Sequence, residues 1–239
     1  LEFTKLAFDL SERFDTPVIV KMCTRVSHSQ SVVETHERIT PPARPYIKNI
    51  QKYVMMPGNA KKKHPLVEAR TRALAEYAET APLNRIEWGS RELGIITSST
   101  SYQYVKEVFG QDASVLKLGM VYPMPDKLIR EFAAGVKKLA VVEERDPIIE
   151  NHCRLLGLSP AGKDILPLED EYSQNLIAAA FGRPVPQGKK LDEPIPARPP
   201  VMCAGCPHRG VFYLLAKHKC TVFGDIGCYT LGAAAPLYA

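Results

Sequence analysis

The chain lacks any run of about eighteen consecutive apolar residues, the minimum that spans a bilayer as a helix, so no membrane-spanning helix is expected. It lacks a strong charge of either sign. Lys and Arg together number 31 and Asp and Glu 26, a net charge of +5. That balance is too mild and too dispersed to argue for nucleic acid. The only basic run, Lys61-Lys62-Lys63-His64, reads as a solvated surface turn rather than a phosphate or ferredoxin contact. The start, from Leu1, has neither an initiator Met nor a signal-peptide layout. The end, Ala233 to Ala239, has no polar tail, and an internal piece of a longer polypeptide is expected. The 6 cysteines do not follow the pattern of a secreted disulfide scaffold, and their clustering fits a reducing, cytoplasmic compartment and a metal site better.

What is present in 239 residues suffices for one large or two modest domains with proper cores. Phe3, Leu6, Ala7, Leu10 and Phe14 recur at helical spacing, and Pro17 to Met22 reads as a strand followed by a polar loop, Cys23 to Ser29. The prolines between 40 and 65 mark a linker, and a helix is expected over 66–79 with Leu66, Ala69, Ala73, Leu74 and Tyr77 on one face. Residues 92–157 alternate strand and helix three times: strands at 93–97, 115–118 and 139–143, and helices over 102–109, from Pro125, and over 147–156. Serial β–α units predict a parallel sheet, hence an α/β fold. Residues 158–200 read as a proline-rich linker with one helix near 173–181. A further domain is expected from Val201, with a helix over 211–217 and a buried strand from Cys220 to Phe223.

The chemistry concentrates in that last stretch. Val201 to Gly210 carries Cys203-x-x-Cys206, and Gly224-Asp225-Ile226-Gly227-Cys228-Tyr229 forms a glycine turn of the kind whose N–H groups approach phosphate oxygens. On spacing alone Cys203 and Cys206 could hold an iron–sulfur cluster, structural zinc or a redox disulfide, or could be inert. Pro207 excludes haem attachment, because a His must follow the second Cys directly. The glycine turn alone is weak, and Asp225 could simply cap the next helix. Cys220, Cys153 and Cys23 read as core thiols. Arg25 and His28 could serve a site, and Glu143-Glu144, at a strand's C-terminal end, could be catalytic, although an interdomain salt bridge is the stronger reading.

Taken together, these segments resemble the large (alpha) subunit of the indolepyruvate:ferredoxin oxidoreductases, members of the thiamine-diphosphate-dependent 2-oxoacid:ferredoxin oxidoreductases. The resemblance runs through Pro17 to Val20, Thr24 to His28, Gly94 to Ser98, Ser101 to Glu107, Leu116 to Gly119, Val142 to Glu144, the Cys203 motif and Gly224 to Gly232. It implies that residues 1–40 end a pyrimidine-binding domain and that 41–89 are a linker with a helix. Residues 90–158 would form a transketolase-C-terminal-like domain, 159–200 a proline-rich linker, and 201–239 the start of a pyrophosphate-binding domain. It implies that Cys203, Cys206 and Cys228 ligate a [4Fe-4S] cluster and that Ile226, Gly227, Cys228 and Tyr229 touch thiamine diphosphate. The activating acid would lie upstream of Leu1, and the Mg2+ ligands and fourth cluster ligand downstream of Ala239, so no catalytic residue is assigned and these residues alone are expected to be inactive. The family usually has a glycine where Ser99 stands. The implied reaction is oxidative decarboxylation of indolepyruvate: the thiamine ylid attacks the keto carbon, carbon dioxide leaves, electrons pass singly to ferredoxin and coenzyme A takes the acyl group. The implied partners are a smaller beta subunit, ferredoxin, coenzyme A and the 2-oxoacid. Pyruvate or 2-oxoglutarate as substrate, and a non-catalytic scaffold with structural zinc, stay open as alternatives.

Overall fold

A computed structural model describes residues 2–43, 45–188, 192–197 and 199–239. Residues 189–191 and 198 of the expected proline-rich linker lie outside the described residues. The chain divides into two units, Leu1–Pro186 and Gln187–Ala239.

The first unit begins with helices α1 (Glu2–Phe14), α2 (Thr24–His28), α3 (Ile50–Tyr53) and α4 (Pro57–Ala78). The expected strand from Pro17 to Met22 does not form, and Ile19 is 90% exposed. A β-branched run favours extension, but a strand exists only through its partners, and no other segment pairs with it among the described residues. The expected polar loop after it contains α2 instead. Helix α4 starts nine residues before the expected boundary and carries Pro65 inside. Strong helix formers on both sides, Ala60 to Lys63 and Leu66 to Arg70, outweigh the lost hydrogen bond of one proline. Lys61 to His64 therefore belong to a helix, not a turn, and Lys63 Nζ donates to the Lys52 carbonyl. The expected apolar face of α4 is only half right: Leu66, Ala69 and Ala73 are exposed, whereas Leu74 and Tyr77 are half-buried.

Next come β1 (Arg85–Glu87), β2 (Leu93–Ser98), α5 (Ser101–Phe109), β3 (Ser114–Leu118), α6 (Asp126–Ala134), β4 (Lys138–Val142), α7 (Ile148–Leu155) and α8 (Gln174–Ala180). The sheet order is β1-β3-β2-β4. The three expected strands pair in parallel, Ile95 facing Val115 on one side and Ala140 on the other. The short edge strand β1, which the sequence reading missed, runs antiparallel to β3. Side chains alternate between faces, as the pleat requires. Ile95, Val115, Ala140 and Val142 pack with α5 and Ile177 of α8. Ile96, Leu116, Leu118 and Val141 pack with Ile129 and Phe132 of α6 and with Ile149 and Cys153 of α7. Burial on both faces explains why these strands read as continuous apolar runs. Gly110 and Gly157 end α5 and α7 with positive φ.

Ser99, directly after β2, has φ 55°, a left-handed conformation that favours glycine. That is the position at which the resemblance drawn from the sequence implies a glycine. The stretch after α7, expected as linker, instead closes the core. Ala161 bridges Ala140 in parallel, and Leu166, Tyr172 and Ile177 are buried against the sheet.

In the second unit, α9 (His208–Lys217) is followed by extended chain and a short 3-10 turn at Thr230–Gly232. The expected strand from Cys220 to Phe223 is not formed and Phe223 is 96% exposed. No helix among the described residues is long and apolar enough to cross a membrane.

Candidate functional site

Cys203, Gly205 and Cys206 form a tight turn in which the Cys206 N–H donates to the Cys203 carbonyl at 3.2 Å. Gly205 takes φ 72° there, a conformation that costs glycine nothing. Pro207 then caps α9, its fixed φ suiting a helix start. Arg209 donates from its guanidinium to the Met202 carbonyl and so ties the strand of chain before the turn to the helix after it. Cys203 is exposed and Cys206 half-buried. Cys206 Sγ lies 3.4 Å from His208 Nδ1.

The second part of the site is the turn from Gly224 to Gly232. Gly227 has φ 126°, Cys228 is exposed, and Ile226 is 90% exposed. The N–H groups of Thr230, Leu231 and Gly232 are spent on the carbonyls of Gly227, Cys228 and Tyr229. Those of Ile226, Gly227, Cys228 and Tyr229 donate to no backbone acceptor among the described residues. Asp225 is not the expected helix cap: its carbonyl accepts from Thr230 Oγ1, and Tyr229 occupies the cap position of the 3-10 turn without a side-chain bond.

Aromatic packing joins the two parts. Tyr229 sets its ring edge-on to His208 at 5.3 Å and to Phe212 at 5.9 Å, and His208 stacks over Phe212 at 6.4 Å. Tyr229 follows Cys228 directly and His208 lies two residues after Cys206. A sequence separation of more than twenty residues is thus closed by three rings.

The donor set suits a soft metal group: three thiols, none shut in a core, two of them in one turn. Their placement does not enclose one here, because no three His, Cys, Asp or Glu side chains among the described residues stand close enough to hold a metal ion. The exposed glycine turn with free N–H groups suits a phosphate in kind.

The remaining candidates fall elsewhere. Cys153 is buried, and desolvation pushes its thiol up to about 12, which leaves it inert as expected of a core residue. Cys23 is half-buried, and Cys220, expected in the core, is exposed. Arg25 pairs with Glu171, and His28 sits exposed in α2. Among the described residues, neither Glu143 nor Glu144 forms a salt bridge. Glu143 is buried and accepts from the Ile149 and Glu150 N–H groups, satisfying the start of α7. Burial raises its carboxyl above the usual range, although those two bonds oppose the shift. Glu144 accepts from the Tyr172 N–H. A groove of about 700 Å³ in the first unit, bounded by Glu79, Tyr122, Asp126, Ile148 and His152, contains none of the expected site residues.

No family model matches the chain. An indolepyruvate oxidoreductase subunit IorA from Methanothermobacter thermautotrophicus is 37% identical over 267 residues, spanning 100% of this chain and 43% of that protein. Its namesake from Archaeoglobus fulgidus is 34% identical over 264 residues, spanning 99% of this chain and 42% of that protein. The chain therefore spans less than half the length of the curated relatives it matches. Among solved structures, a 2-oxoglutarate:ferredoxin oxidoreductase from Magnetococcus marinus matches 45% of this chain and 20% of its own, with 19% identity and a TM-score of 0.37, a likeness too distant to bear on function. Along its whole length, the chain is thus similar to part of the indolepyruvate oxidoreductase IorA subunits.

Proposed function

We propose that this chain is part of an enzyme that oxidatively decarboxylates 2-oxoacids and passes the electrons to ferredoxin, with indolepyruvate as substrate and an aryl-acetyl-coenzyme A as product. The observation that carries this is the pairing, within one small unit, of the Cys203–Cys206 turn with the glycine turn bearing Cys228, in a chain similar throughout to IorA subunits. Cys203, Cys206 and Cys228 would ligate a [4Fe-4S] cluster. Ile226, Gly227, Cys228 and Tyr229 would line thiamine diphosphate, with Mg2+ neutralising its pyrophosphate. When bound, the thiazolium supplies the electron sink for decarboxylation and the cluster a one-electron exit. The tasks left to this chain are positional. Gly227 would let the backbone approach the pyrophosphate without a side chain in the way, and N–H groups of the turn would donate to its oxygens. The Cys203–Cys206 turn sets two thiolates three residues apart, as cluster ligation commonly needs. Residues 1–40 would complete the pyrimidine-side domain. A beta subunit, ferredoxin and coenzyme A are the partners this reading requires, in the cytoplasm.

Turnover tests the reading. The complete subunit, assembled anaerobically with its beta subunit, thiamine diphosphate, Mg2+ and coenzyme A, should reduce ferredoxin with indolepyruvate at a higher kcat/KM than with pyruvate or 2-oxoglutarate. A higher value with either of the other acids would reassign the substrate, and no ferredoxin reduction with any 2-oxoacid would refute the activity.

A further inference from the structure

The three rings that join the Cys203–Cys206 turn to the Cys228 turn do more than fill space. Phe212 is buried, 4% exposed, one helical turn after His208 on α9, so both rings face the same side of the helix. His208 lies over it and Tyr229 meets both edge-on. The contact is closed from below by Gly232. A Cβ there would sit 2.9 Å from three atoms of the Phe212 ring, closer than such atoms approach in folded proteins. The glycine is therefore required by packing and not by φ. Two of the rings are each tied to a cysteine of their own segment: His208 Nδ1 is 3.4 Å from Cys206 Sγ, and Tyr229 follows Cys228 directly. Among the described residues of the second unit, Met202 is the one other buried apolar side chain beside Phe212.

We propose that His208, Phe212, Tyr229 and Gly232 form a clasp that sets the Cys203–Cys206 turn against the Cys228 turn before any metal arrives. They are positioning residues. None is assigned a ligand's role by the clasp, and their effect is to hold two cysteine-bearing segments, distant in sequence, against each other. The proposal builds on the reading of Cys203, Cys206 and Cys228 as ligands, but the clasp is a property of the metal-free chain and can be measured without iron.

The test uses the metal-free full chain, a short thiol-to-thiol cross-linker, and mass spectrometry to identify the joined cysteines. In the unaltered protein a Cys206–Cys228 product should form readily beside a Cys203–Cys206 product. Tyr229→Ala removes a half-exposed ring without emptying the core, and Gly232→Ala pushes the Phe212 ring aside. Both should lower the Cys206–Cys228 yield about tenfold while the Cys203–Cys206 yield, which is local to one turn, stays unchanged. Tyr229→Phe, which keeps the ring, should restore the first product. Unchanged Cys206–Cys228 yield in both variants would overturn the clasp, and so would a parallel fall of both products, which signals general unfolding. If the cross-links behave as expected but anaerobic loading with iron and sulfide leaves the unaltered protein iron-free, the clasp stands and the ligand reading falls.

Discussion

In the complete protein, Cys203→Ala, Cys206→Ala and Cys228→Ala should each lose about the four iron held at these cysteines, while Cys220→Ala should keep them. Loss of a direct thiolate bond to a cluster cannot be replaced by a second-shell contact, so the first three effects are large. The case for Cys220 rests on distance. Cys206 precedes α9 and Cys220 follows it, its N–H bonded back to the Leu215 carbonyl. A helix of 10 residues separates them by about 15 Å, and ligands to one cluster cannot be that far apart. Burial in a strand, as the sequence alone predicts for Cys220, leads to the same outcome for another reason. The strand is absent and the thiol is exposed, so exposure alone does not make a ligand. Iron and acid-labile sulfide per chain, measured after anaerobic purification, check all four variants. Iron retained in any of the first three, or lost in Cys220→Ala, would show the wrong thiols had been chosen.

Tyr172→Ala should destabilise the first unit by about 3–5 kcal/mol, the range for emptying a fully buried aromatic site. Its ring has no exposure and joins the cluster around Ile95, Val142 and Ile177. Its hydroxyl donates to the Pro167 carbonyl and accepts from Lys163 Nζ, both at 2.7 Å, and Lys163 also donates to the Glu143 carbonyl. Burial pushes the phenol up to about 12, so it stays a neutral donor across the physiological range. Tyr172→Phe keeps the ring and loses two bonds, for a cost of about 1–3 kcal/mol. Denaturant unfolding of both variants separates the packing loss from the polar one. A Tyr172→Ala midpoint indistinguishable from the parent would mean that the segment after α7 is not part of the core.

That segment shows where the sequence was hard to read. Its prolines and polar residues look like linker, and its three anchors, Leu166, Tyr172 and Ile177, follow no helical or strand period. Only the helix capped by Ser173, whose hydroxyl accepts from the Leu176 N–H, carried a local signal. The parallel strands were legible because burial on both faces makes them continuous apolar runs, and the helix ends because Gly110 and Gly157 stand there. Edge strand β1 was missed because three residues give no period. Pro17 to Met22 and Cys220 to Phe223 were overread for the opposite reason: extended propensity is local and strand pairing is not. At the site, the cysteines and the glycine turn were plain in the sequence. The roles of His208, Phe212 and Gly232 were not, since an aromatic contact between segments twenty residues apart leaves no mark on either one. Glu143 drew notice because it ends a strand, yet its carboxylate is spent on the first N–H groups of α7.

The most direct test of the account is the metal content and absorption spectrum of the unaltered protein, purified without oxygen in its complete form. The account predicts a brown protein with about four iron and four acid-labile sulfide per subunit bound at Cys203, Cys206 and Cys228, over and above any cluster elsewhere, and bleached on adding 2-oxoacid with coenzyme A. A colourless protein with one zinc at those cysteines would contradict it and leave a structural scaffold in its place.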